Sequence, residues 1–308
     1  MTSRFAAAIT LGSNSFNMLV AQFECGQPNV VAKYKRKVRL ANGIKADGEL
    51  TPEAMIRGLD CLAMFAQKLK QHQIPSERTK IIATATLRNV SNADDFNGQA
   101  LAILGQRIEI ISGDQEAELI YQGMFHTTEG EFRRLVIDIG GGSTEFIIGD
   151  GDKLLYKTSL PIGCVSYQQP YFSQFPYQKA DFDNVVTQVQ RVLSPHLEML
   201  KSYGCSRAVG ASGSVQTLVE LLRYRGFDEV ITLAFLKQIR TEILQQTCST
   251  LSNIEGLTPE RAPTLATGVA IMLALFELLE ITSINLSGGA LREGVLHQLA
   301  QTLQGSVK

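Results

Sequence analysis

The chain has 308 residues, a net charge of −1, and 44% hydrophobic against 19% charged residues. That balance is the one of a globular protein, and the length suffices for two domains with full cores. A near-neutral charge excludes long-range steering of polyanions, so nucleic acid is not an expected partner and any anion must be held by a local site. The cysteines Cys25, Cys61, Cys164, Cys205 and Cys248 form no CxxC pair, which argues against a zinc ribbon or dithiol centre and for reduced thiols in the cytoplasm.

In chain order, "FAAAITLG" reads as a strand running into a turn rather than as a leader with a cleavage site. Residues 5–11, 15–23 and 28–39 form a predicted three-stranded meander. Thr51 as N-cap and Pro52 at the first helical position open a helix, with Met55, Leu59, Leu62 and Leu69 near helical spacing. A β-rich run follows at 79–85, then a polar helix from about Ser91, a strand at 107–112 and a helix from about Gly113. The order then restarts. "RRLVIDIG" and "STEFIIGD" read as a hairpin, "DKLLYKTSL" as a third strand, and 178–202 as a long helix. "SRAVGASGS" is a strand entering a glycine turn, with helices after it. The apolar run at 265–281 holds Glu277 and Glu280 and falls short of the ~20 residues of a membrane span, so a buried core helix is expected and no membrane partner. "SINLSGGALREGVLHQLAQTL" supplies a last strand, a glycine turn and a closing helix.

Strands alternating with helices argue for an α/β protein. The repeated order argues for two related domains with a cleft between them. An offset of 128 carries Ile9 onto Ile137, Gly12 onto Gly140 and Ser15 onto Ser143, and sets Thr10 against Asp138.

Turns rich in glycine and serine follow apolar strands at 12, 140, 210 and 287. Glycine lets main-chain amides converge on a small anion, and hydroxyls add donors. Four such turns, each at a strand end, point to a shared phosphate site. The Walker and dinucleotide patterns are both absent. Asp138 interrupts an apolar strand and points away from Leu135, Ile137 and Ile139. It either caps the glycine turn or, with Glu145 across the hairpin, holds a hard cation such as Mg²⁺. Ser112 and Gln115 have capping-box spacing, and Asp114, Glu116 and Glu118 then suit a helix start through the dipole alone. Lys33, Lys35, Lys37 and Arg39 share a strand face, as a ladder for an extended polyanion or as protection of an edge strand. Arg88 and Arg292 follow strand-like runs and could grip phosphate or simply be solvated.

"LGSNSF", "TATLR", "ISGDQEAELIYQG", "VIDIGGGSTEF", "GASGS" and "ALREGVL", in that order, closely resemble the exopolyphosphatase/guanosine pentaphosphate phosphohydrolase (Ppx/GppA) family in a short two-domain form. The resemblance implies an actin-like fold, as in sugar kinases and Hsp70, of two ribonuclease-H-like domains around a central cleft. The expected domains are 1–124 and 125–293, with a helix at 294–308 packing back on the first. It implies Glu116 as the base that activates water, with Gln115 where the family has another acid, and Asp138 and Glu145 as metal and water carboxylates with Mg²⁺ as cofactor. Gly12, Ser13, Asn14, Ser15, Gly141, Gly142, Ser143, Thr144, Gly210, Ser212, Gly213, Arg88 and Arg292 are the expected phosphate contacts. Thr10 departs from the family's aspartate, so an attenuated enzyme is one expectation. Many members carry a helical extension that this chain does not show, which leaves the two core domains.

The leading expectation is a hydrolase that releases terminal phosphate from inorganic polyphosphate. The alternatives are a 5′-phosphohydrolase of guanosine pentaphosphate and a weakly active or non-catalytic sensor of polyphosphate or alarmone. A homodimer is left open.

Overall fold

"FAAAITL" carries small and branched apolar side chains at odd and even positions alike, the pattern of a strand covered on both faces. In the computed structural model it is β1 (Phe5–Leu11), buried from Ala6 onward. The structure describes residues 4–24, 27–129, 133–205, 207–248 and 250–305; Cys25 lies outside them. β1 opens a meander with β2 (Ser15–Glu24), its middle strand, and β3 (Gln27–Lys37). After α1 (Pro52–Gln71) come β4 (Thr79–Ala83), α2 (Ala85–Asn89), α3 (Ala93–Leu104), β5 (Glu109–Ile110) and α4 (Gly113–Phe125). Among the described residues these strands form one sheet in the order β3-β2-β1-β4-β5, with β4 parallel to β1 and β5 parallel to β4.

The second half repeats this plan. β6 (Arg134–Ile139), β7 (Thr144–Asp150) and β8 (Lys153–Leu160) form the meander. Then follow α5 (Gln168–Tyr171), α6 (Lys179–Ser202), β9 (Arg207–Ala211), α7 (Gly213–Tyr224), β10 (Val230–Ile231), α8 (Leu233–Leu244), α9 (Ala262–Leu279) and β11 (Ser283–Leu286). β9 lies parallel to β6, β11 parallel to β9, and β10 adds an antiparallel edge, so the order reads β8-β7-β6-β9-β11-β10. Both sheets therefore share a 3-2-1-4-5 strand order, the ribonuclease-H-like arrangement. The chain ends its description with α10 (Leu291–Gly305).

The chain divides into two compact units, Met1–Glu129 with Gly289–Lys308, and Gly130–Gly288. In the first, α1 and α3 cover the sheet face of Ile9, Phe16 and Ile81, while α4 and α10 cover the face of Ala8, Leu19 and Ile82. α4 and α10 cross at backbone distance. A Cβ on Gly123 would stand 1.9 Å from the Ala290 carbonyl oxygen, and one on Gly294 would stand 1.8 Å from that of Leu119. His126 and His297 stack beside this crossing, with ring centres 3.9 Å apart. In the second unit, α9 runs through the core, buried along Leu265, Ala266, Val269, Ala270 and Met272, as the apolar run at 265–281 led one to expect.

Local chemistry moves several boundaries. Arg39 does not extend the third strand: β3 stops at Lys37, and Arg39 sits at φ 51, so the cationic face ends one residue pair earlier than predicted. β3 is an edge strand, the setting in which lysines guard against sheet-to-sheet pairing. The helix expected from Ser91 starts at Ala93, because the Asn92 amide is held in both directions by the Leu50 main chain, at 2.8 and 3.1 Å. The strand expected at 107–112 is only β5, and the run at 79–85 ends in α2, whose alanine, leucine and arginine favour helix over its one threonine.

Candidate active site

In the first unit the carboxyl ends of the parallel strands β1, β4 and β5 carry the motifs. This is the edge where open α/β sheets bind ligands. β1 runs into the turn at 12–15, closed by the Gly12 amide donating to the Ser15 carbonyl at 3.1 Å. The segment after β3 clamps this turn: the Arg39 amide donates to Asn14 and the Ala41 amide to Ser13, at 2.9 and 3.0 Å. β4 runs into α2, which presents Arg88, and β5 runs into α4, which presents Glu116. The predicted capping box is formed in full, with Ser112 Oγ accepting from the Gln115 amide at 3.1 Å and Gln115 Oε1 accepting from the Ser112 amide at 2.8 Å. The box needs an acceptor and not a charge, so glutamine serves here. Glu116, 7% exposed, receives Arg88 Nη1 at 3.2 Å, and the same nitrogen donates to the Ile111 carbonyl at 2.9 Å. Arg88 is thus anchored beside the acid. Arg292 lies in the first turn of α10, 3.7 Å from Glu293.

The second unit repeats the construction. The Gly140 amide donates to the Ser143 carbonyl at 2.8 Å, the same closure displaced by 128 residues, so the pairing of the two turns read from sequence holds in the backbone. The segment after β8 clamps the turn: the Cys164 amide donates to Gly140 at 3.0 Å, and the amides of Val165 and Ser166 donate to Gly141 at 2.9 and 3.0 Å. Gly163 makes this possible, since a Cβ there would stand 2.3 Å from the Gly141 carbonyl oxygen. Asp138 and Glu145 are direct partners across β6 and β7, and Ser159 is the next partner on β8, so the three share one sheet face. Glu145 is 1% exposed; its Oε1 accepts from Ser143 Oγ and Ser159 Oγ, both at 2.7 Å. Two hydroxyl donors to a charged acceptor offset the cost of burying it. The neighbouring Cys164 thiol is pushed up to about 11, by burial first; the Ser214 hydroxyl opposes that rise and the Asp138 charge adds to it. It is a protonated thiol at neutral pH, not a nucleophile.

Other predicted contacts are corrected. Thr144 is fully buried, and its hydroxyl donates to the Ile162 carbonyl at 2.5 Å, so that hydroxyl is not offered to phosphate. The Ser143 hydroxyl is turned to Glu145. Gly210 lies within β9, where a Cβ would meet Ile284 and Val215 at 2.7 Å; its bareness serves packing rather than anion approach. Ser212 caps α7 at φ 148, a region strained for any residue but glycine, and Gly213 opens the helix. Ser159 and Gly163 were not read from sequence: Ser159 acquires meaning only from strand register, and Gly163 only from the clamp.

Asp138 and Glu145 suit Mg²⁺ by the chemistry of their donors. Both supply hard oxygen from one sheet face, and Mg²⁺ commonly takes one or two carboxylates and completes its shell with water and phosphate. Among the described residues no third acid, histidine or cysteine groups with them.

Strand order and strand-end glycine turns in both units define an α/β protein of the actin-like class, built of ribonuclease-H-like units. The solved structure of an exopolyphosphatase from Cytophaga hutchinsonii matches with a TM-score of 0.87 at 25% identity, covering 97% of this chain and 98% of that one. The Aquifex aeolicus PPX-GPPA enzyme matches with a TM-score of 0.77 at 25% identity, over 96% of this chain and 99% of that one. The profile of the Ppx/GppA phosphatase family matches residues 19–303, and the chain belongs to that family. A relative from Aliivibrio fischeri, named guanosine-5′-triphosphate,3′-diphosphate pyrophosphatase, is 47% identical over 298 residues, which are 97% of this chain and 60% of the relative. The chain thus spans about 60% of the length of the curated relatives it matches.

Proposed function

We propose that the protein hydrolyses the terminal 5′ phosphoanhydride of guanosine pentaphosphate, giving orthophosphate and guanosine tetraphosphate. The observation that carries this reading is the near-half identity to relatives named for that substrate, along nearly the whole of this chain. The geometry supports the reaction class. Glu116, at the start of α4 and held by Arg88, takes the proton of the attacking water. Strand-end glycine turns of this kind carry main-chain amides that can orient a phosphate and stabilise charge on its equatorial oxygens as the bond to the leaving oxygen breaks. Asp138 and Glu145 would hold Mg²⁺, which would neutralise charge on the transferred phosphoryl group. The buried serine hydroxyls keep Glu145 oriented for that task.

Exopolyphosphatase activity is the second reading, favoured by the TM-score of 0.87 to an exopolyphosphatase that this chain covers almost entirely. Phosphate release measured side by side on guanosine pentaphosphate and long polyphosphate, with Mg²⁺ and with chelator, separates the readings. The expected result is a kcat/KM at least ~10-fold higher on guanosine pentaphosphate, abolished by chelator. A preference for polyphosphate would install the second reading, and release from neither substrate would leave a sensor.

A further inference from the structure

Ser159 lies outside every glycine turn, and no sequence motif singles it out. Its register places it directly beside Glu145 on β8, and its hydroxyl reaches Glu145 Oε1 at 2.7 Å. Ser143 reaches the same oxygen, also at 2.7 Å, from the end of the turn on the other side. The terminal torsion of a glutamate is soft, with a broad twofold profile. Two charge-assisted donors converging on one oxygen remove that freedom and fix the plane of the carboxylate. Each hydroxyl has one proton to give, so both serines commit it to this acceptor. Ser159 is also three residues from Ile162, whose carbonyl holds Thr144, and four from Gly163, which permits the clamp on the turn.

We infer that Ser159 is a positioning residue: with Ser143 it fixes the Glu145 carboxylate in the orientation in which Glu145 and Asp138 together take a divalent cation. This rests on the reading of Asp138 and Glu145 given under Proposed function. Hydrogen-bonded partners of ligating carboxylates typically carry 10- to 100-fold of metal affinity or activity.

The test compares Ser159→Ala, Ser159→Thr and Glu145→Gln. Mg²⁺ affinity is measured by calorimetry without substrate, kcat and KM by phosphate release, and folding by thermal melting. Ser159→Ala is expected to weaken Mg²⁺ binding by ~10-fold or more and to lower kcat by a similar factor, with KM within about twofold. Ser159→Thr keeps the hydroxyl and should recover both to within about threefold of wild type. Wild-type metal affinity and kcat in Ser159→Ala overturns the inference, and so does a threonine variant no better than alanine. A lowered melting temperature with normal metal binding and kinetics also overturns it, because the serine would then serve only to satisfy a buried carboxylate. If Glu145→Gln abolishes activity while Ser159→Ala is normal, this inference alone falls. If Glu145→Gln turns over normally, the underlying reading falls and takes this one with it.

Discussion

Two rows of side chains occupy the same place in the repeated fold. In the first unit, Thr10, Asn17 and Lys35 lie side by side across β1, β2 and β3. In the second, Asp138, Glu145 and Ser159 lie side by side across β6, β7 and β8. The turn above each row closes with the same main-chain bond, at 3.1 and 2.8 Å, and is clamped by the segment that follows the third strand. The backbone has been kept while the charge has been exchanged. One row offers a hydroxyl, an amide and an ammonium; the other offers two carboxylates and a hydroxyl. A glycine turn over the first row suits an anion by itself. The same turn over the second row repels an anion unless a cation intervenes. Geometry alone therefore does not assign a role to such a turn; the row beneath it does.

The most severe way to break this comparison is to make the second row resemble the first. Asp138→Thr removes one of the two carboxylates proposed to hold Mg²⁺, and turnover should fall by ~10³-fold. Phosphate release above a tenth of wild type would mean that the charge of the row does not matter. Next comes the acid that the first unit does carry, on α4. Glu116→Gln should lower turnover by ~10²-fold with substrate binding retained, a typical weight for a general base. Near-normal turnover would reduce Glu116 to a helix-start acid held by Arg88. The converse exchange, Thr10→Asp, is gentler. In an attenuated enzyme the added carboxylate should tighten Mg²⁺ binding by ~10-fold, as ligand charge does elsewhere, and raise turnover. In a sensor it should weaken anion binding and create no activity. Calorimetry and phosphate release on this one variant distinguish the two, and no change in either would place Thr10 outside the site. The smallest effect belongs to the far end of the first row. Lys35→Ser combined with Lys37→Ser should raise KM by roughly two- to fivefold for long polyphosphate and less for short chains, with a weaker salt dependence. Equal effects at both lengths would leave these lysines as edge-strand protection.

The repeat was legible in the sequence from very little: Ile9, Gly12 and Ser15 recur as Ile137, Gly140 and Ser143 at the same strand and turn positions. Asp138 was legible because a carboxylate inside "LVIDIG" contradicts its surroundings. Ser112 and Gln115 were legible because the capping box is local. What escaped depends on non-local pairing. Asn92 breaks the expected helix start by bonding to Leu50, 42 positions away. The Thr144 hydroxyl is engaged by the Ile162 carbonyl, 18 positions away. Gly210 resembles a phosphate glycine in sequence, and only the contact with Ile284 and Val215 shows why it is bare.

The crossing of α4 and α10 has a consequence for biosynthesis. The first unit is interrupted: its sheet is encoded before residue 130, and the helix that completes it after residue 288. A nascent chain leaving the ribosome presents Ala8, Leu19, Ala21 and Ile82 early, yet Val295 and Leu296, which cover them, emerge only after the whole second unit. The second unit, contiguous in the chain, has its core in full before then. Vectorial synthesis usually lets the N-terminal domain finish first. Here the domain begun first is completed after the second, and until α10 docks only α4 covers that apolar face.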